Sequence, residues 1–348
     1  MTTPRRILVT GHRGYLGSVM APHLIAQGHE VVGLDTGYFD ACTLVPGVDD
    51  IATVEKDLRD LGAEDLRGFD AVVHLAALSN DPIGNLDQGW TTDINHSGSV
   101  RLAELAKQAG VERFLFSSSC IMYGASTTDV VDETSPLDPK TVYAQSKVTA
   151  EREISALADD TFSPVFLRNG TVYGISPRMR LDTVLNDLVA NAVVRGSVQV
   201  FSDGSPWRPV VHVEDVARSF ARVLEAPRED VHDQAFNNGA DHLNHQVREL
   251  ADIAASTVEG ATVQVLGQPG ADQRTYKADF AKFARTFPDF TWTWDARSGA
   301  QELADTFRSA GLGSAELDGD RFVRLRWLNR LLSEDRLDGT LRWTGAGA

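Results

Sequence analysis

Seven residues near the start, Gly11-His12-Arg13-Gly14-Tyr15-Leu16-Gly17, constrain this chain more than any other stretch. They follow the apolar run Ile7-Leu8-Val9 and open a helix-length segment. Glycine at every third position lets the backbone turn tightly out of a strand and lie close against a pyrophosphate. The helix that starts there offers free N–H groups and the positive end of its dipole. A second apolar run, Val31 to Leu34, ends in Asp35, placed to accept hydrogen bonds from adenosine ribose hydroxyls. Gly11, Gly14, Tyr15, Leu16, Gly17 and Asp35 are therefore the first candidate cofactor-binding residues. Asp35 favours NAD, because its charge repels a 2′-phosphate. Arg13 pulls the other way, since a guanidinium in the loop can pair with that phosphate. Asp35 stands where the ribose is expected and carries more weight. Asp57-Leu58 follows a later β-like run and either brackets the adenine or is a plain surface pair.

Beyond this opening, short apolar runs alternate with amphipathic stretches. Ala71 to Leu75, Phe114 to Phe116 and Val165 to Leu167 read as buried strands, and Val100 to Ala109 as a helix closed by Gly110. Such alternation implies an α/β fold of Rossmann type, a doubly wound parallel sheet covered on both faces. Past Arg168 the rhythm weakens and loops rich in Gly, Pro and Asn appear. A smaller α/β substrate-binding domain is expected there. The expected division is 1–170, with about 205–237, for the NAD-binding domain, and 171–204 with 238–348 for the substrate domain. Val210-Val211-His212-Val213 reads as one more strand of the first sheet. The tail from Ala296 reads as helices separated by Gly311, Gly313 and Gly319.

The chain has 348 residues and a formal net charge of −16, from 33 Lys+Arg against 49 Asp+Glu. An acidic surface of that size repels phosphate backbones and anionic bilayers, so neither nucleic acid nor membrane is an expected partner. It leaves room for a local basic pocket. Cys42 and Cys120 cannot build a disulfide framework, and no residue spacing suggests a metal site. His242 and His245 lack a third ligand. The start has no apolar signal segment, and a cytoplasmic protein is expected.

Tyr143 and Lys147 stand four apart in Val142-Tyr143-Ala144-Gln145-Ser146-Lys147, so a helix presents them on one face. Lys147 is then expected to hold a cofactor ribose and to lower the phenol pKa of Tyr143. A tyrosine so tuned can move a proton at a carbinol oxygen. Ser117-Ser118-Ser119 lies at the end of a strand, with Ser119 24 residues before Tyr143. Strand C-termini are where ligands bind in open α/β sheets, and a serine hydroxyl there can reach the same oxygen.

Here the chain resembles the extended short-chain dehydrogenase/reductases, in particular the nucleotide-sugar epimerase/dehydratase group. The resemblance is carried by Gly11 to Gly17, Asp35, His74-Leu75-Ala76-Ala77, Asn95, Ser117 to Gly124, Tyr143 to Lys147 and Arg168 to Gly174. It implies Ser119, Tyr143 and Lys147 as the catalytic set, since Ser119 precedes Tyr123-Gly124 by four residues. It implies Leu75, Ala76, Ala77, Asn95 and Ser117 as further cofactor contacts, NAD as the cofactor, and a nucleotide-diphosphate sugar as the substrate. Arg208 and Arg274 resemble the paired arginines that grip the sugar-nucleotide pyrophosphate, and Asn186 resembles a residue near the same phosphates. Thr171 stands where many epimerases place a substrate-contacting Asn. Arg178, Arg180 and Asp182 either line the sugar or base pocket or cap a helix. A homodimer built on the helices around Tyr143 is implied by the resemblance alone.

The shared chemistry of the group is oxidation of a sugar hydroxyl. A 4,6-dehydratase carries Asp-Glu directly after the catalytic Ser/Thr, whereas Cys120 and Ile121 stand here. A 4-epimerase needs no further acid or base, because the keto-sugar turns over and is reduced from its other face. Cys120 leaves another course open, a keto-sugar reductase or 3,5-epimerase/reductase using the thiol as an acid/base. The alternative is a small buried cysteine that packs like alanine.

Overall fold

A computed structural model describes residues 3–47, 51–79, 81–125, 130–268 and 274–345. The centre is a seven-stranded sheet of Arg6–Thr10 (β1), Glu30–Asp35 (β2), Thr53–Glu55 (β3), Ala71–His74 (β4), Arg113–Ser119 (β5), Ser163–Asn169 (β6) and Gln234–Asn238 (β7). The spatial order is β7-β6-β5-β4-β1-β2-β3 and every pairing is parallel. The order reverses beside β1, so the crevice outside β1 and β4 is a switch point at which ligands bind in such sheets.

The strands alternate as a sheet buried on both faces must. Leu8, Val32, Val72, Phe114 and Phe116 join one core, while Ile7, Val9, Val31, Val73 and Leu115 join the other. Helices Gly98–Ala109 (α2) and Val142–Ser155 (α3) supply Leu102, Ala103, Ala106, Ala150 and Ile154 to the first face. Helices Gly17–Ala26 (α1) and Val213–Leu224 (α5) supply Met20, Leu24, Val216 and Phe220 to the second. Gly110 ends α2 at φ 85°, a left-handed conformation that favours glycine.

One expectation is corrected. Val210, Val211 and His212 do not join the main sheet. They belong to Trp207–His212, which lies between Thr171–Tyr173 (parallel) and Asn244–Gln246 (antiparallel) in a separate three-stranded sheet. The seventh strand is β7, whose Gln234 and Asn residues hide it from a search for apolar runs. Around the smaller sheet pack Val184–Arg195 (α4), Val247–Ser256 (α6) and Ala296–Ser309 (α7). The tail continues through Ser314–Asp318 to Arg324–Ser333 (α8). Among the described residues no helix is long and apolar enough to cross a membrane.

Candidate active site

A cavity of about 560 Å³ runs along the C-terminal edge of β1, β4, β5 and β6 and reaches the smaller sheet. Its floor begins at the glycine turn. Gly11 takes φ 75°, and a Cβ there would lie 2.8 Å from the Ala76 amide nitrogen. A Cβ on Gly17 would lie 2.1 Å from the Gly11 carbonyl oxygen. Only glycine allows α1 to start this close to the strand. No side chain caps α1 at Leu16, and the cavity wall at this helix start is made by Tyr15, Leu16 and Gly17, whose amides precede the first helical bonds from Ser18 and Val19. Gly14, Tyr15, Leu16, Leu75, Ala76 and Ala77 complete this end of the wall.

Asp35 closes β2 beside the turn. Its carboxylate accepts from the amides of Arg13 (3.0 Å) and Gly37 (2.9 Å). Burial holds its pKa above the ordinary value, against the pull of those amides and the Arg13 charge. Asp57 and Leu58 line the cavity nearby. Burial works to raise the Asp57 pKa, but hydrogen bonds and charge from Arg59 outweigh it and hold the carboxyl low. Glycines that could carry no side chain, an uncapped helix start and an acid at the end of β2 fit a dinucleotide.

Asn95 is corrected as a cofactor contact, and Arg13 is relocated: it lines not this cavity but a neighbouring one, together with Asp35 and Thr36. Its guanidinium is turned to Asp40 (3.4 Å) and Glu55 (3.0 Å), which neutralise it and remove the reason to expect a 2′-phosphate there. Asn95 is fully buried and lies behind the wall. Its side chain accepts from the Leu78 amide (2.8 Å) and donates to the Leu78 carbonyl (3.0 Å), fixing the loop that follows β4.

Tyr143 and Lys147 face the middle of the cavity from α3. The helix is started by Thr141, whose hydroxyl accepts from the Ala144 amide at 3.1 Å. It is fixed to the sheet by a buried pair, Glu151 with Arg168 of β6 at 2.7 Å. Lys147 is buried, with Nζ donating to the Ser117 carbonyl at 2.7 Å and lying 4.5 Å from the Phe116 ring centre. Burial pulls its pKa down to about 8, against the charge of Glu151.

The expected tuning of Tyr143 by Lys147 is also corrected. Burial pushes the phenol pKa up, Asp81 adds to the rise, and Arg180 is the cation that opposes it. Lys147 gives its short hydrogen bond to the Ser117 carbonyl, and its Nζ stands 5.9 Å from the centre of the Tyr143 ring.

Ser117, Ser118 and Ser119 end β5 in the same wall. The Ser117 hydroxyl accepts from Asn169 Nδ2 at 3.1 Å. The Ser118 hydroxyl is buried with no partner among the described residues. Ser119 is half-exposed and caps the short turn Cys120–Tyr123, accepting from the Ile121 amide at 3.3 Å. Cys120 is corrected as a substrate contact. It is fully buried, its thiol donates to the Arg168 carbonyl at 3.0 Å, and burial pushes its pKa far up.

At the far end, Thr171, Arg208 and Arg274 line the cavity. Arg208 donates to the carbonyl oxygens of Trp207 (2.8 Å) and Arg274. Arg274 pairs with Asp81 at 2.5 Å. Asn186 is corrected. It is fully buried and outside the wall, accepting from the Gly174 amide (3.0 Å) and donating to Tyr15 Oη (3.1 Å) and the Arg180 carbonyl (3.0 Å). It holds cavity-lining residues in place and does not itself face a ligand.

Of the three residues left open between pocket and cap, Arg180 and Asp182 line the cavity and Arg178 does not. Arg180 donates to Asp182 (2.8 Å) and to the Ser79 hydroxyl (2.9 Å). Sequence reasoning missed Asp81, Tyr38, Phe39 and Arg324, all in the wall. No local spacing marks them: Asp81 begins the short helix Asp81–Leu86, Tyr38 and Phe39 lie in the loop after β2, and Arg324 comes in with the tail.

Comparison with known proteins agrees with this geometry. A UDP-glucose 4-epimerase of Bacillus subtilis (strain 168) is 29% identical over 332 residues, 87% of this chain and 96% of that protein. The solved structure of MoeE5 in complex with UDP-glucuronic acid and NAD matches with a TM-score of 0.76 at 28% identity, covering 88% of this chain and 99% of the other. DesIV, a dTDP-glucose 4,6-dehydratase from Streptomyces venezuelae with NAD and TYD bound, matches with a TM-score of 0.76 at 26% identity, covering 89% and 99%. NAD is the cofactor to which the cradle belongs. Residues 7–239 match the family model described as NAD dependent epimerase/dehydratase family. The glycine turn, the Tyr143–Lys147 face and the serine strand end all fall inside that span, and the chain belongs to this family of extended short-chain dehydrogenase/reductases.

Proposed function

We propose that the protein is a nucleotide-sugar 4-epimerase working through a transient 4-keto sugar. The carrying observation is that Tyr143, Lys147 and Ser119 share one cavity wall with the glycine cradle, while Arg208 and Arg274 line its far end. Bound NAD supplies a hydride acceptor and, once reduced, a donor. Gly11 to Gly17 and Asp35 hold it at one end, with Lys147 at the ribose near the reacting carbon.

The rest is done by side chains. Tyr143 takes the proton of the sugar 4-hydroxyl and later returns one to the same oxygen. The Ser119 hydroxyl hydrogen-bonds that oxygen and fixes its position. Arg208 and Arg274 hold the nucleotide diphosphate, so the sugar can turn about its link to the phosphate without leaving. Arg180 lies close enough to Tyr143 to favour the phenolate, which offsets part of the cost of burial.

Two observations favour epimerisation over the other courses. The positions after Ser119 hold a buried thiol and the apolar Ile121, so neither supplies the carboxylates that water removal needs. Cys120 lies outside the cavity wall, which removes the acid/base group from the 3,5-epimerase/reductase reading.

The test is incubation of the purified protein with UDP-glucose, UDP-glucuronic acid and UDP-N-acetylglucosamine, followed by proton NMR of the sugar. The expected result is a C4 epimer formed with no net consumption of NAD. Loss of water from the sugar, or stoichiometric oxidation of NADH, would overturn it.

A further inference from the structure

The C-terminal tail lies outside the family match, which ends at residue 239. It nevertheless returns to the cofactor end of the cavity. Trp327 Nε1 donates to the Tyr38 carbonyl at 2.6 Å, and Trp343 Nε1 donates to the Thr36 carbonyl at 2.6 Å. Tyr38 Oη donates to the Leu341 carbonyl, and Arg59 donates to the Thr340 carbonyl at 2.8 Å. The loop after Asp35 is thus tied to the tail by three of these hydrogen bonds, two of them from indoles, and the turn at Arg59 by the fourth.

A second cavity, of about 590 Å³, shares Asp35, Thr36, Tyr38, Lys56 and Asp57 with the first. Its other side is formed by the tail, through Arg336, Arg342 and Trp343. Asp35 is the acid expected at the adenosine ribose, and Asp57 lines both cavities beside it. The tail therefore lies over the end of the main cavity that Asp35 marks.

The tail also brings a charge. Arg324, the first residue of α8, lines the main cavity together with Tyr15, Leu16 and Phe39. It is 3% exposed. Its guanidinium donates to the Arg178 carbonyl at 2.9 Å and lies 4.4 Å from the Phe39 ring centre. It has no ion-pair partner among the described residues, and Nη1 has no hydrogen-bond partner at all among them. Asp182 accepts from its backbone amide and is already paired through its side chain with Arg180. The neighbouring Arg178 is matched by Asp40. Burial pulls the Arg324 pKa down only to about 10, so the charge is present at neutral pH. A buried unpaired charge of this kind is costly and calls for an anion.

We infer that residues 320–345 are part of the cofactor site: they close over the adenosine of NAD and place Arg324 against its diphosphate. The inference rests on NAD being the cofactor. It implies a dinucleotide held through many turnovers, which suits a reaction that regenerates its oxidant.

The test measures exchange of protein-bound NAD for ethenoadenine NAD, followed by fluorescence, in the full chain. Wild type, Trp343→Ala and Arg324→Gln are compared, with Arg324→Met as a second variant that removes the charge should the glutamine fail to fold. Exchange is expected to quicken by about tenfold or more in Trp343→Ala and in the Arg324 variant that folds, with UDP affinity changed by less than about twofold. Exchange no faster than wild type in either variant overturns the inference. So does an Arg324 variant that loses more affinity for UDP than for NAD, which would place the residue on the substrate's diphosphate. A wild-type protein that neither carries nor takes up NAD would instead remove the cofactor assignment itself.

Discussion

Arg274 and Thr141 meet on one carboxylate: Asp81 pairs with Arg274 at 2.5 Å and accepts from the Thr141 hydroxyl at 2.6 Å. Thr141 is the residue that starts the helix of Tyr143. One end of the proposed phosphate grip is thus tied to the element that carries the proposed base. Asp81 also raises the pKa of Tyr143. Asp81→Asn should move the ascending limb of kcat against pH to lower pH. It should raise KM for the nucleotide-sugar about tenfold, worth about 1.4 kcal/mol. A limb that stays in place would show that Asp81 acts only as a tether.

Tyr143→Phe removes the hydroxyl and leaves the ring in the cavity wall. Turnover should fall by about 10²–10⁴, the usual range for loss of a positioned acid/base. NAD released from the denatured variant should match wild type. Full activity in this variant would remove Tyr143 from the mechanism.

Lys147 allows a stability prediction with a definite sign. Its folded pKa is lowered to about 8 from an ordinary 10.5. Between those values the unfolded chain binds more protons, so its contribution to stability improves as pH rises through that window. Below pH 8 the cost of the buried charge is fully present. Lys147→Met should therefore inactivate the enzyme yet stabilise it at pH 7, by on the order of 2 kcal/mol. Denaturant midpoints at pH 7 and pH 10 check this, and the gain should shrink at the higher pH.

Asn186→Leu tests the correction made for that residue. It leaves the Gly174 amide without its side-chain acceptor and Tyr15 Oη without its amide donor, at about 1–3 kcal/mol for each buried group left unpaired. The denaturant midpoint should fall while KM for the nucleotide-sugar holds. A raised KM at unchanged stability would return Asn186 to the ligand.

Cys120→Ala should leave turnover within about twofold, and cost about 1 kcal/mol for a lost hydrogen bond and a small void. A large loss of activity in a stable variant would revive the thiol as an acid/base.

Much of the fold was legible because its signals are local. The turn at Gly11 to Gly17 and the spacing of Tyr143 and Lys147 are fixed by the geometry of one turn or one helix. The polar residues Asn95, Asn186 and Cys120 misled because residue type says nothing of which way a side chain is turned. Each is absorbed by backbone groups that a folded loop or strand brings to it. Asp81 and Arg324 were hidden for the opposite reason: they come from distant parts of the chain and share only the cavity. β7 escaped notice because its residues make a ladder of amides instead of an apolar stripe.

That ladder has a consequence for anyone altering the protein. Ser219 of α5 accepts from Asn238 Nδ2 (2.9 Å), which also donates to Asn169 Oδ1 (2.8 Å), and Asn169 Nδ2 reaches Ser117 Oγ and the Ser118 carbonyl (3.1 Å each). β7 is the outermost strand on its side and has one neighbour to hold it. A fusion partner or inserted loop placed beyond Asn238 would pull on this amide relay. Its effect would be felt at Ser117 and Ser118, next to Ser119, although no residue of the proposed catalytic set had been touched.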